Sequence, residues 1–273
     1  MPRVDVNGLG VAHDSFGDGP PLVLLHGLAC GRRMWRKQIA ALRDRFRVIV
    51  YDMRGHGASD APDDLAQYSA EHLAQDFIGL LDHLALKRVH VAGFSLGGGP
   101  ALALALRQPE RVGALVLCGV GSGAENTWVS QRLAEIWIGY AREGGMEKMV
   151  TEMLRSDFFK TYANRGPRQR RHMKAIICQH PLHGITHTLA GVVARRKSLF
   201  RMTGTLAKVK APTFVLLGQQ DGVCQKSARL LVSSIPKSEL LRIPGAGHTL
   251  PLEAPDAFSG AVAEFIKRRG EAT

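Results

Sequence analysis

No run of apolar residues in this chain approaches the roughly 18–20 needed to cross a bilayer. The opening residues, Met1-Pro2-Arg3-Val4-Asp5-Val6-Asn7, contain no apolar signal core. These two absences lead to the expectation of a soluble, cytoplasmic protein with no membrane partner. Cysteine is scarce. Cys30, Cys118, Cys178 and Cys224 are widely spaced, and no two sit close enough in sequence to suggest metal or redox chemistry. Four reduced thiols are expected, with Cys30 and Cys224 near enough to the loops described below to line a pocket. Internal repeats and low-complexity segments are absent too.

Acidic residues are nearly missing from one long stretch. Between Arg155 and Lys210, thirteen lysines and arginines face a single acid, Asp157, so the whole net charge of +12 is concentrated there. Its densest parts are Arg168-Gln169-Arg170-Arg171 and Arg195-Arg196-Lys197. A solvated basic face is the plainest account, and steering of an anionic small molecule toward a nearby pocket is the next. No nucleic-acid motif accompanies the charge, so no nucleic-acid partner is expected.

With 273 residues, 45% of them hydrophobic, the chain can bury a large core within one α/β domain. A leading hairpin is expected from Val4–Val6 and Val11–His13, with Asn7-Gly8 as its turn. Strands then alternate with helices: strand 22–25, helix 33–43, strand 47–51, helix 69–84, strand 88–92, helix 97–107 and strand 112–118. After a long segment, 122–205, the alternation resumes with strand 212–217, helix 225–234, strand 238–243 and helix 256–268. This rhythm predicts an α/β fold with a mostly parallel sheet flanked by helices.

One junction carries chemistry. The apolar run Arg88-Val89-His90-Val91-Ala92 stops at Gly93-Phe94-Ser95-Leu96-Gly97, and an Ala/Leu-rich run follows. Strand, sharp turn and helix place a serine at the apex, and glycines two residues away on each side remove side chains that would collide. Pro100 cannot donate within a helix, so the helix should begin near Gly98, where a proline in the first turn costs nothing. A serine nucleophile needs a base, and the base needs an orienting acid. Asp221 follows the apolar strand Thr213–Leu217, and His248 follows Leu240–Ile243. Both therefore fall at carboxyl ends of strands, the edge where parallel sheets build their sites. Glu239, on a strand, and Glu253, beyond the histidine, are weaker choices for the acid. His26, Asp52, Arg54 and His56 read as braces of loops on that face. His172, His180, His183 and His187 have no acidic cluster beside them, so no metal site is expected.

On His26-Gly27, Tyr51-Asp52-Met53-Arg54-Gly55-His56-Gly57-Ala58-Ser59, Gly93–Gly98, Asp221 and Gly247-His248, the chain resembles the α/β-hydrolase superfamily over 20–121 and 205–268. Within it, the chain looks similar to small bacterial esterases and lactonases, including the 3-oxoadipate enol-lactonase type. The resemblance implies a catalytic triad of Ser95, His248 and Asp221, and an oxyanion hole of the Leu28 and Leu96 N–H groups. It implies a core of 1–121 and 206–273, and a helical cap over 122–205. The cap pattern gives helices at Trp128–Ala141 and Met146–Leu154, and within 168–180 and 186–201. Its apolar inner-face candidates are Trp128, Ile136, Trp137, Met149, Met153, Phe158, Phe159 and Ile177. Trp128, Trp137, Met153 and Phe158 are the chosen substrate contacts.

The expected activity is hydrolysis of a carboxylic ester or lactone, an anionic one fitting the basic stretch, with no metal or organic cofactor. A serine nucleophile argues against the dehalogenase and epoxide-hydrolase branches, which attack through a carboxylate. A C–C hydrolase of ring-cleavage products and a cofactor-free perhydrolase would use the same triad. A ligand sensor on this fold is the alternative from outside enzymology.

Overall fold

The computed structural model describes residues 3–121 and 126–269. Two strands open the chain, β1 (Arg3–Val6) and β2 (Leu9–Phe16). Their antiparallel register turns on Asn7 and Gly8, both at positive φ, as the Asn-Gly pair predicts. Then follow β3 (Pro21–Leu25), α1 (Arg36–Leu42), β4 (Arg47–Tyr51), α2 (Ala70–His83), β5 (Val89–Phe94), α3 (Gly98–Arg107) and β6 (Val112–Cys118). The long segment holds α4 (Thr127–Arg155), α5 (Lys160–Ala163), α6 (Pro167–Ile177), α7 (Leu182–Thr188) and α8 (Thr203–Leu206). The chain closes with β7 (Thr213–Gly218), α9 (Gln225–Ser234), β8 (Ser238–Ile243), α10 (Leu250–Glu253) and α11 (Pro255–Arg269).

The eight strands form one sheet in the order β1-β2-β4-β3-β5-β6-β7-β8. β2 pairs antiparallel with β1 and β4, and from β4 through β8 all neighbours are parallel. Side chains alternate across it. Leu22 and Leu24 join one buried cluster, together with residues of α1, α4, α6 and α11; Val23 and Leu25 join the other, with α2, α3 and α9. A sheet covered on both faces is why β6 is buried at every position. On α2, Leu73, Phe77, Leu80 and Leu81 form the buried stripe, and the Ser69 hydroxyl caps the helix by accepting from His72 N–H at 3.1 Å.

Pro100 falls in the first turn of α3, as its missing N–H requires, because only a short 3₁₀ turn, Ser95–Gly97, precedes Gly98. The helix expected at 33–43 starts as a 3₁₀ turn, Arg32–Trp35. The two helices expected at Trp128–Ala141 and Met146–Leu154 form one run, α4, broken by non-helical backbone at Gly144 and Gly145. The helical stretches expected within 186–201 are short pieces. α7 passes into a π-helical turn, Leu189–Val193, the chain leaves helix after it, and a 3₁₀ turn follows at Leu199–Arg201. Of the expected segments, residues 1–2, 122–125 and 270–273 lie outside the described residues.

Candidate active site

β5, β6, β7 and β8 lie side by side, so loops leaving their carboxyl ends converge. Ser95 follows β5 at φ 49°, in the left-handed region that non-glycine residues enter only when the surroundings hold them there. The turn admits no side chain on either flank. A Cβ on Gly93 would stand 2.6 Å from Gly97 O, and one on Gly97 would stand 2.5 Å from Leu25 O. His248, from the loop after β8, reaches across. Ser95 Oγ–H donates to His248 Nε2 at 3.1 Å, and His248 Nδ1–H donates to Asp221 Oδ2 at 2.9 Å. Asp221 and His248 are both buried. Gly119, at the end of β6 with φ 57°, lets the imidazole pass, since a Cβ there would lie 3.3 Å from the ring.

Cys224 lies against this line, its Sγ 3.7 Å from His248 Nδ1. Burial, followed by the Asp221 carboxylate, pushes its thiol well up, so it is neutral. Among the described residues, Asp221, Cys224 and His248 are the one set of three metal-type side chains that converge, and the carboxylate and imidazole are already bonded to each other.

Sequence reasoning missed how the histidine loop is held. Glu253 Oε2 accepts from Gly247 N–H at 2.7 Å, and Oε1 accepts from Thr249 N–H at 3.0 Å and Thr249 Oγ1–H at 2.7 Å. The only available signal was a glutamate five residues beyond the histidine. Arg165 reaches the same loop, donating through Nη2 to Gly245 O at 2.8 Å.

The residues read as braces do brace. Asp52 accepts from the N–H groups of Arg32 (2.6 Å) and Ala58 (3.0 Å), and pairs with the Arg32 guanidinium. Arg54 forms a buried two-pronged pair with Asp76 at 2.6 and 2.7 Å. His26, His56 and His180 lie in a row, tilted or edge-on to one another, with ring centroids 4.9 and 5.2 Å apart. Each accepts a backbone N–H: from Met53 at 3.0 Å, Ala29 at 3.2 Å and Gly57 at 2.7 Å respectively. Burial drives His26 well down, His56 to about 4 and His180 to about 2, with neighbouring imidazoles adding to the first and last.

Above Ser95 and His248 lies a cavity of about 500 Å³, its mouth included. Leu28, Cys30, Phe94 and Leu96 line it from the sheet side, and Leu133, Trp137, Phe158, Phe159, Val193 and Arg196 from the long segment. Leu28 and Leu96, read as oxyanion donors, thus line the same cavity as Ser95. Of the four residues read as substrate contacts, Trp137 and Phe158 are there. Phe158 stands edge-on to His248 with centroids 5.0 Å apart, and Trp137 packs on Phe158 at 5.4 Å. Trp128 and Met153 are not there. Trp128 precedes Trp137 by nine positions, half a turn out of phase on an α-helix, and is 64% exposed. Met153 lies beyond the Gly144–Gly145 break and is buried in the core. Two other hollows, beside Pro212 and Ser238 and beside Pro20 and His90, sit at the opposite edge of the sheet.

A family model described as the alpha/beta hydrolase fold matches residues 20–174, more than half of the chain. The chain belongs to the α/β-hydrolase fold family. Among curated relatives of this family is 3-oxoadipate enol-lactonase 2 of Acinetobacter baylyi, 27% identical over 93% of this chain and 92% of that protein. Another is the 2-hydroxymuconate semialdehyde hydrolase of a Pseudomonas species, 29% identical over 93% and 89%. Among solved α/β hydrolases, the esterase of Thermogutta terrifontis with malate bound superimposes with a TM-score of 0.84 at 28% identity, covering 99% of this chain and all of that one. No helix among the described residues is long and apolar enough to cross a membrane.

Proposed function

We propose that this α/β hydrolase cleaves a carboxylic ester or lactone through an acyl-enzyme on Ser95. The observation that carries the reading is the unbroken line from Ser95 Oγ through His248 to Asp221 at the floor of the cavity. His248 Nε2 takes the Ser95 proton as Oγ attacks the carbonyl carbon. Asp221 holds the tautomer that leaves Nε2 free to accept, and stabilises the imidazolium that forms. The N–H groups of Leu28 and Leu96 receive the oxyanion. The imidazolium protonates the departing alcohol, and the C–O bond breaks. Water, deprotonated by His248, then attacks the acyl-enzyme, and Ser95 leaves with its proton restored.

Segment 122–205 acts in this reading as a cap on the core of 1–121 and 206–273. Its aromatic pair Trp137–Phe158 shields the imidazole and keeps bulk water from the acyl-enzyme. Four unpaired cysteines fit a reducing cytoplasm. The semialdehyde hydrolase relative favours one alternative, cleavage of a C–C bond next to a carbonyl by the same groups.

The test is turnover of short and medium acyl esters, lactones and a dienoate C–C substrate by the wild type and Ser95→Ala. Fast ester or lactone hydrolysis that falls by about six orders of magnitude in the variant supports the proposal. Turnover of the dienoate alone would replace it with the C–C reading. Turnover insensitive to Ser95 would overturn both.

A further inference from the structure

Among the described residues, Arg196 is the one arginine or lysine on the wall of the cavity that holds Ser95 and His248. Its neighbours in sequence, Arg195 and Lys197, are exposed, whereas Arg196 turns inward just after the π-helical turn Leu189–Val193. Its Nε–H donates to the buried Ser130 hydroxyl at 2.8 Å, which fixes the plane of the guanidinium. Its Nη2 is shut off from solvent and has no acceptor. No carboxylate among the described residues forms an ion pair with it, and the thiol nearest in charge, Cys224, is neutral. The rest of the wall is largely apolar: Leu28, Phe94, Leu133, Trp137, Phe158 and Val193.

Burial lowers Arg196 to about 10, so the group still carries its charge at neutral pH. Proteins rarely leave a buried donor unmatched, and a buried charge without a partner is costlier still. A held guanidinium fork in an apolar wall beside a nucleophile meets the geometric need of a carboxylate.

We infer that Arg196 is the substrate-carboxylate anchor, making this an enzyme for small esters or lactones that carry a carboxylate besides the bond they lose. The inference deepens the hydrolase reading and rests on it. It also relocates the role of the basic stretch. Arg168, Arg170 and Arg171 are exposed on α6 and do not line the cavity, so recognition falls to a single inward arginine.

The test compares monomethyl glutarate, which is anionic, with the neutral dimethyl glutarate, for the wild type, Arg196→Gln and Arg196→Lys. The expected result is a ratio of kcat/KM, anionic over neutral, that falls tenfold to hundredfold in Arg196→Gln, about the worth of one charged hydrogen bond. Most of the loss should appear in KM, with partial recovery in Arg196→Lys. An unchanged ratio would overturn the inference. A second arm measures glutarate and glutaramide binding to Ser95→Ala protein, with and without Arg196→Gln, by calorimetry. If the wild type hydrolysed neither ester, this arm would decide the anchor on its own. Loss of glutarate preference with Arg196→Gln would sustain it, and equal binding of the two ligands by both proteins would refute it.

Discussion

The carboxylate of Glu253 grips the backbone on both sides of His248, taking the N–H of Gly247 with one oxygen and that of Thr249 with the other. The imidazole facing Ser95 is thus held by its peptide flanks as well as through its ring, where Nδ1 meets Asp221. Glu253→Gln places an amide NH₂ where a carboxylate oxygen stood, facing an N–H it cannot accept. If His248 is the base, a displacement of its ring by about 1 Å costs on the order of a hundredfold in rate. The expected outcome is a kcat about a hundredfold lower with a smaller change in KM, read by steady-state kinetics on the best ester. An unchanged kcat would mean the loop holds itself.

Two glycines near Ser95 should answer oppositely to the same change. Gly97→Ala drives a methyl group to 2.5 Å from Leu25 O, a backbone atom that cannot rotate away. Loss of about 1–3 kcal/mol or more is expected, along with most activity. At Gly99, two residues on and exposed on α3, a Cβ meets nothing within 4 Å. Gly99→Ala should raise stability by about 0.5–1 kcal/mol through helix propensity. Urea melts of the two variants check both signs.

Acid should loosen the fold through His26, His56 and His180. All three are acceptors of backbone N–H groups, and their folded forms resist protonation. The unfolded chain binds these protons near pH 6.5. Their depressed folded values therefore leave stability intact above that pH and erode it as pH falls through 6.5 toward 4. His56 and His180 should each remove about 2 kcal/mol by pH 5, and His26 acts in the same direction. His180 belongs to the long segment, so hydrogen exchange there should speed up first as pH drops. A thermal midpoint constant from pH 7 to 5 would contradict this account.

Phe158 spans the gap between Trp137 and His248, edge-on to both rings. Phe158→Ala should open the cavity, shift preference toward longer acyl groups and raise KM for acetyl esters severalfold. A profile of kcat/KM against acyl length reads this directly, and an unshifted optimum would count against the aromatic wall.

How much of this was legible in sequence depends on how local each signal is. Ser95 announced itself because the strand, two glycines and helix are contiguous, and His248 and Asp221 because each ends an apolar strand. Strand alternation was equally plain, since a sheet covered on both faces needs unbroken apolar runs. The pocket walls were harder. Trp128 and Trp137 are the same residue type on one helix, and only the phase of that helix against the core separates them. Nothing in Leu189-Ala190-Gly191-Val192-Val193 marks the π-helical turn that follows α7. Arg196 hid within Arg195-Arg196-Lys197, because composition cannot say which member of a basic run turns inward. Glu253 acts on two peptide N–H groups, and such partners leave no trace in side-chain patterns.

The central claim is that Ser95 is the activated nucleophile. It is tested most directly by treating the protein with a fluorophosphonate and reading the intact mass and the labelled peptide. We predict one adduct on Ser95 in the wild type, none in Ser95→Ala, and greatly slowed labelling in His248→Ala. Absence of an adduct in folded wild-type protein, or equal labelling after Ser95→Ala, would contradict it.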